Sequence, residues 1–318
     1  MLLRGLVIKS TGNWYQVMSG TETYPCRIIG KFRLNDKVLT NPVAVGDEVD
    51  FELERESDHE KKGVIKKILP RKNYITRQSP RQKHHLHLLA ANVDQAIVVV
   101  TLVEPNLKQG FIDRFLLMTE PHNIPCIIVF NKSDLFEAEN LEIFNEYKNI
   151  YEGIGHQVIK VSALDGDGID TLRTLLKDKI TFIGGQSGVG KSTLINAIQP
   201  GLDLRTTEIS DYSGKGTHTT TFAEMHPLLQ GGMIIDTPGI KTLSFNNLEM
   251  MDVAHNFKEF FELAKDCKYS DCLHRNEPGC AVKKAVENNA IHSSRYENYL
   301  SILEDIEDQN FWERHKEM

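Results

Sequence analysis

The chain of 318 residues is long enough for two or three domains, and its 40% hydrophobic and 25% charged residues are typical of a globular protein. No apolar run approaches the ~20 residues that a membrane-spanning helix needs, and the first residues lack a signal-peptide pattern, so we expect a cytoplasmic protein with no membrane partner. The formal net charge of −7 is unevenly distributed, because residues 1–90 carry 16 basic and 10 acidic side chains.

Residues 1–72 are predicted to form a small β-barrel domain. The β-branched and aromatic residues cluster in five short segments, at 2–8, 14–18, 24–29, 48–53 and 63–68, separated by Gly, Asn and Asp turns. This spacing and the basic composition favour an OB-type barrel, although an SH3-like barrel would give a similar pattern.

Residues 73–90 are interpreted as a basic linker. No acidic residue occurs between Lys61 and Val93, and this stretch contains nine Lys or Arg side chains. A solvated, flexible linker is the usual structure of such a charge run. Interleaved apolar residues such as Tyr74 and Ile75 instead suggest folded backbone, and a one-sign patch favours a polyanionic partner such as nucleic acid.

Residues 91–242 show an alternation of strands and helices that predicts a doubly wound α/β domain. Near-continuous apolar segments, as in strands buried on both faces, occur at 93–102, 125–130, 157–161 and 180–183. Helices are predicted at 110–120, 141–153, 168–179 and 192–198, and further strands at 221–226 and 233–235.

A phosphate-binding loop follows the strand at 180–183. Its pattern places Gly185 and Gly190 before Lys191 and Ser192, at the start of a helix. Backbone N–H groups of such a loop surround phosphates, Lys191 would bridge the terminal phosphates in catalysis, and Ser192 would bind Mg²⁺. A simple Gly-rich turn does not explain the Lys-Ser pair. The predicted nucleotide contacts are Gly185, Gln186, Ser187, Gly188, Val189, Gly190, Lys191, Ser192 and Thr193.

Two further motifs specify a guanine base. The carboxylate of Asp134 can accept from both the ring N–H and the exocyclic amine of guanine, a pair of donors that adenine lacks. Lys132 can lie along the base, and the N–H of Ala163 can reach the guanine carbonyl. The predicted base contacts are Asn131, Lys132, Ser133, Asp134, Ser162 and Ala163.

The segments that would sense the γ-phosphate lie on either side of the last strand. Asp236 can hold Mg²⁺ through water, and the N–H of Gly239 can contact the γ-phosphate. A threonine of the 217–221 cluster should complete the Mg²⁺ shell, with Thr220 favoured and Thr219 second. Ile240 occupies the position where many GTPases carry a water-orienting glutamine. His218 is therefore a candidate catalytic residue, and contact with RNA or capping of the switch loop is the equal alternative.

Residues 243–318 are predicted to form a mostly helical, metal-binding domain, with helices at 250–264, 281–287 and 293–308. Three thiolates and one imidazole, a closed tetrahedral set for Zn²⁺, are supplied by Cys267, Cys272, His274 and Cys280. A redox role is the alternative, but no Cys-x-x-Cys pair supports it. We therefore expect one structural zinc ion per chain.

The order of these motifs resembles that of the circularly permuted GTPases, since the base motif at Asn131 precedes the phosphate loop at Gly185. Together with the N-terminal barrel and the Cys/His cluster, the whole chain is similar to the ribosome small-subunit-dependent GTPase A (RsgA) family. This resemblance implies binding of GTP and GDP with Mg²⁺, and GTP hydrolysis stimulated by the small ribosomal subunit during its late maturation. It implies the small subunit and its rRNA as partners, and we expect a monomer.

Two other functions remain possible from the sequence. One is a nucleotide-gated RNA-binding module whose turnover is incidental, and the other is a GTPase that acts on a protein partner. Turnover measured with and without small subunits would separate the three.

Overall fold

The computed structural model describes residues 2–29, 41–54, 61–78, 86–202, 204, 223–237 and 248–314, the side chains of 309–314 excepted. Within those ranges, no helix combines the length and the apolar character that crossing a membrane requires.

The N-terminal unit is a closed five-stranded barrel. Its strands are β1 (Leu2–Ser10), β2 (Tyr15–Ser19), β3 (Glu22–Ile28), β4 (Glu48–Leu53) and β5 (Gly63–Ile68). They follow the order β1-β2-β3-β5-β4, and the pairing of β1 with β4 closes the barrel. Only β3 and β5 run parallel among these neighbours. Alternate side chains point inward around Tyr15 and Phe51, which are both fully buried. The predicted OB-type barrel is confirmed.

The segment predicted as a basic linker contains a two-stranded antiparallel sheet. Its strands are β6 (Tyr74–Gln78) and β7 (Leu86–Ala91). Ile75 and Ala90 pair across this sheet and are fully buried. The sheet is fixed to the barrel because Arg71 Nε donates to the buried Asp47 Oδ1 at 2.7 Å. The described part of this segment is folded backbone, in agreement with its interleaved apolar residues, of which Ile75 lies in a buried core.

The central unit is a mostly parallel sheet covered by helices on both faces. Its strands are β8 (Gln95–Val100), β9 (Cys126–Phe130), β10 (Gln157–Lys160), β11 (Ile180–Gly185), β12 (Glu224–Pro227) and β13 (Met233–Asp236). Their order is β10-β9-β8-β11-β13-β12, and β12 is the antiparallel member. One face carries α1 (Phe111–Thr119) and α2 (Ala138–Gly153), and the other carries α3 (Ile169–Leu176) and α4 (Lys191–Ile198). The predicted doubly wound sheet is confirmed.

The C-terminal unit is helical in its described part. Its helices are α5 (Met250–Asn256), α6 (Lys258–Ala264), α7 (Ala281–Glu287) and α8 (Ser293–Arg314). The expectation of one helix over 250–264 is wrong, because Phe257 adopts an extended backbone conformation between α5 and α6. Its ring is buried against the ring of Tyr299, with centroids 5.2 Å apart, and under the guanidinium of Arg295. Packing of that ring explains the break.

A buried polar cluster, which we call the junction, joins the central and C-terminal units. Arg295 of α8 forms ion pairs with Asp113 of α1 at 2.5 Å and with Glu259 of α6 at 2.8 Å. The hydroxyl of Tyr151 in α2 and the amide of Asn298 in α8 also donate to Asp113. The same apolar core runs beneath both units, so the C-terminal helices share a core with α1 and α2.

Candidate nucleotide site and metal centre

Loops from five parallel strands meet at one edge of the central sheet. Because β8, β9, β10, β11 and β13 run parallel, their carboxyl ends lie on the same side. The ends of these strands are followed or formed by Thr101, Asn131, Val161, Gly185 and Asp236. The sheet therefore brings together motifs that are as much as 105 residues apart in the chain.

The phosphate loop requires glycine at two positions, because other atoms lie too close to leave room for a side chain. A Cβ on Gly185 would lie 2.3 Å from the carbonyl oxygen of Val99, and a Cβ on Gly190 would lie 2.6 Å from Asn131 Nδ2. Gly190 also has a φ of 83°, a left-handed conformation that favours glycine. Helix α4 begins directly after Gly190, so its N-terminus, with free N–H groups and a partial positive charge, adjoins the loop.

Lys191 and Asp236 place opposite charges at the base of this loop. The ammonium of Lys191 is buried and donates to the carbonyl oxygens of Gly185 at 3.0 Å and Gln186 at 2.7 Å. Burial lowers the pKa of Lys191 to about 8. Burial likewise raises the pKa of Asp236 to about 6, although the Lys191 cation opposes that rise. A polyanion bound in the loop would stabilise the charged form of the lysine.

Beside this pair, the side chain of Gln186 is buried, and its Oε1 has no hydrogen-bond partner among the residues that the structure describes. Ser192 is half-buried in the first turn of α4, while Ser187 and Thr193 are exposed. These positions leave hydroxyl groups open to a ligand in the loop.

Asn131 connects the base motif to the two other nucleotide motifs. Its Nδ2 donates to the carbonyl of Val189 at 2.9 Å, and its Oδ1 accepts from the N–H of Ala163 at 3.3 Å. The hydroxyl of Ser162 donates to Asp134 Oδ1 at 2.6 Å, which orients an otherwise exposed carboxylate. The backbone N–H of Ser133 donates to the carbonyl oxygen of Val161. The structure therefore gathers Asn131, Ser133, Asp134, Ser162 and Ala163 beside the phosphate loop.

The loop 101–105 also belongs to this site, although it is part of none of the predicted motifs. The ammonium of Lys132 donates to the backbone oxygen of Glu104 in that loop. A signal was present in the sequence, since the loop follows the apolar strand at 93–102 and must lie at the same edge of the sheet. Three predicted site residues, His218, Thr220 and Gly239, lie outside the described residues.

A second site lies in the C-terminal unit, where the four predicted metal ligands converge. Their donor atoms all lie within 4.8 Å of one another, and three of the four side chains are buried. Cys267 Sγ is 4.0 Å from Cys280 Sγ, and His274 Nδ1 is 3.7 and 3.4 Å from these two sulfurs. Tetrahedral ligation with metal–sulfur bonds near 2.3 Å gives edges of about 3.5–3.8 Å. The cluster can therefore hold a metal ion, and its donor set fits one.

Hydrogen bonds around this cluster fix its loop. Both carboxylate oxygens of Glu277 accept backbone N–H groups, from Leu273 at 2.9 Å and from Arg275 at 2.8 Å. The hydroxyl of Tyr296 in α8 donates to the carbonyl of His274 at 2.7 Å. Cys280 precedes α7, and its sulfur accepts the N–H of Lys283. Such surrounding contacts orient metal ligands and favour the thiolate form of cysteine.

The fold and the order of the motifs define the class of this protein. A phosphate loop that follows the base motif, on a sheet of this topology, is that of a circularly permuted GTPase. The family described as RsgA GTPase matches residues 68–246, and its N-terminal domain matches residues 4–65. The chain belongs to the RsgA GTPase family and is a GTP-hydrolysing enzyme.

Similar proteins match almost the full length of the chain. "Small ribosomal subunit biogenesis GTPase RsgA" of Bacteroides fragilis is 48% identical over 97% of this chain and 99% of its own. The crystal structure of YjeQ from Thermotoga maritima is similar with a TM-score of 0.76 and 38% identity, over 96% of this chain and 99% of that one. YloQ, described as a circularly permuted GTPase, has a TM-score of 0.72 and 32% identity, over 97% and 96% of the two chains.

Proposed function

We propose that this GTPase acts in late maturation of the small ribosomal subunit and hydrolyses GTP faster when it is bound to that subunit. The observation that carries the proposal is the full-length similarity to a protein named a small ribosomal subunit biogenesis GTPase. The similarity spans the barrel, the GTPase unit and the Cys/His unit.

The basic surface of the barrel supports rRNA as the contact. Lys61, Lys66 and Lys67 are exposed on and beside β5, and Lys61 and Lys66 form ion pairs with Glu22 and Glu52 of other strands. Such exposed ion pairs are weak, so these lysines can exchange them for phosphates. Lysine side chains that neutralise phosphates release counterions, so binding through this surface should weaken as salt rises. We propose that the protein works as a cytoplasmic monomer.

For GTP itself, we propose that each motif keeps its predicted role. Mg²⁺ would offset phosphate charge, and Ser192, Thr220 and Asp236 would hold it. Lys191 would bind the terminal phosphates, and Gly239 would donate its N–H to the γ-phosphate. The helix dipole of α4 and the loop N–H groups would stabilise the charge that develops during transfer to water.

Turnover with and without isolated small subunits tests the proposed function. We expect GTP hydrolysis to rise strongly when subunits are added, and to fall back as salt weakens the complex. Lys67→Glu should lower this stimulation, whereas Lys177→Glu, the same charge change at an exposed site of the GTPase unit, should not. A rate of GTP hydrolysis that does not change when small subunits are added would contradict the proposal and favour a protein partner.

Base selection is predicted to depend on Asp134. Replacing Asp134 with asparagine should weaken GTP binding by about 100-fold, because the amide removes a charged acceptor for two guanine donors. Xanthosine triphosphate should bind better, because its extra carbonyl can accept from the new amide. Competition binding of the two nucleotides measures both changes. An Asp134→Asn variant that keeps the affinity and preference of the parent would show that another group reads the base.

The Cys/His cluster is proposed to hold one structural zinc ion per chain. Three sulfurs and one nitrogen are preferred Zn²⁺ ligands, and the set leaves no open position for catalysis. Elemental analysis of protein purified without chelators should give about one zinc per chain. Cys272→Ser should lower that ratio and unfold the C-terminal helices, whereas Cys126→Ala, at a buried cysteine of β9, should leave the zinc content unchanged. A zinc-free parent with intact helices would contradict this role.

His218 is proposed to position the attacking water. The motivation is Ile240, which cannot replace a water-orienting glutamine, and an imidazole in the switch segment could do so. His218→Ala should bind GTP and small subunits normally and lose the stimulated rate. Single-turnover hydrolysis on saturating subunits is the measurement, and His226→Ala on β12 is the control histidine. Stimulated hydrolysis at the parental rate would exclude His218 from the mechanism.

A further inference from the structure

The loop 101–105 contacts both halves of the nucleotide site. At one side, Glu104 offers its backbone oxygen to the ammonium of Lys132. At the other, Pro105 Cδ lies 3.6 Å from the position that a Cβ on Gly188 would occupy, so its ring packs on the phosphate loop. The loop therefore lies between the base motif and the phosphate motif.

Packing fixes the two ends of this segment but not its apex. Leu102 is buried in the core, and Val103 and Leu107 pack against the same core. Glu104, at the apex, is exposed. A hydrogen bond closes the loop across this apex, because the hydroxyl of the fully buried Thr101 donates to the carbonyl of Pro105 at 2.6 Å.

Lys132 needs such a support. Its backbone is in the left-handed region with a φ of 63°, and hydrogen bonds to its neighbours hold that conformation. Its side chain, by contrast, is long and partly exposed, and ordering a free lysine costs up to about 2 kcal/mol of rotamer entropy. A partner that orders the ammonium beforehand lowers this cost at the moment of binding.

We propose that Thr101 is a positioning residue for guanine-nucleotide binding: its buried hydroxyl holds the 101–105 loop so that Glu104 fixes the ammonium of Lys132 beside the nucleotide. The proposal rests on the nucleotide site of the proposed function, and adds a residue that belongs to none of its motifs. Thr101 acts through Lys132 and does not touch the nucleotide itself.

The first test replaces Thr101 with valine, which keeps the shape and removes the hydroxyl. Titration calorimetry with GDP should show a dissociation constant about fivefold to tenfold higher than that of the parent, which corresponds to the free energy of one hydrogen bond. Thr101→Ser keeps the hydroxyl and should stay within about twofold of the parent. If GDP binds the parent and Thr101→Val equally well, the inference is wrong, whereas a parent that binds no guanine nucleotide would overturn the proposed nucleotide site with it.

A double-mutant cycle separates this role from a general structural one. In a Lys132→Met background, Thr101→Val should change GDP affinity by less than about twofold, because the ammonium that Thr101 positions is absent. An equal loss in both backgrounds would mean that Thr101 only stabilises the fold, and would overturn the proposal. Thr101→Ala removes the same hydroxyl from a buried position, so it repeats the cycle if Thr101→Val folds poorly. It too should weaken GDP binding only when Lys132 is present.

Discussion

Replacing Arg295 with alanine is expected to destabilise the folded protein by about 3–5 kcal/mol, the largest effect on stability that we predict. The guanidinium is buried between Asp113 and Glu259, and Asp113 has no exposed side-chain surface. Without the cation, two carboxylates remain in a poorly solvated junction and repel each other. Urea denaturation followed by circular dichroism measures the loss.

A matched control exists on the same two helices. Arg114 of α1 pairs with Asp305 of α8 at 2.6 Å, but half of the Asp305 side chain is exposed. Arg114→Ala should therefore cost under about 1 kcal/mol, as exposed ion pairs usually do. If both variants lower the free energy of unfolding by the same small amount, the junction does not stabilise the packing of α8 on the GTPase unit.

Replacing Lys191 with methionine is expected to weaken GTP binding by about 100-fold and, without nucleotide, to stabilise the protein. The affinity falls because a charged donor to the phosphates is lost, and such hydrogen bonds are worth about 1.5–3 kcal/mol. The stability rises because burial disfavours the ammonium, as its lowered pKa of about 8 indicates. We expect the gain to be limited to about 1–2 kcal/mol at pH 7, because the same change removes the cation that stabilises the carboxylate of Asp236.

The pH dependence of stability provides a second measurement of this effect. Between the folded pKa of about 8 and the ordinary lysine value of 10.5, the unfolded chain binds more protons at this site than the folded chain. The contribution of Lys191 to stability therefore rises with pH across that window. The stability difference between Lys191→Met and the parent should shrink from pH 8 to pH 10.5. A constant difference would mean that the lysine is not electrostatically strained.

The features of this fold that could be predicted from the sequence are those formed by residues close together in the chain. The strands of the barrel and of the central sheet were located to within a few residues, because alternation and apolar runs are local patterns. The metal ligands lie within fourteen positions of one another, so their donor set was visible as well. The nucleotide motifs were recognised because each combines a short pattern with a strand before it.

Other features could not be read from such patterns. The helix over 250–264 was predicted as continuous. Its periodicity does not show that the chain breaks at Phe257, where the ring is buried in the core. The apolar residues of the basic segment suggested folded backbone, but its pairing as β6 and β7 was not visible, because the sequence does not show which residues lie opposite one another.

By itself, the sequence determined the local elements, the order of the motifs and the identity of the donor atoms. Only the tertiary structure decided which distant groups share one environment. Asp113 and Arg295 are 182 residues apart, and Thr101 meets Lys132 only through the turn at Glu104. Pairs of this kind depend on how helices and strand ends are brought together, and the energy that selects them comes from burial of the whole core rather than from any local pattern.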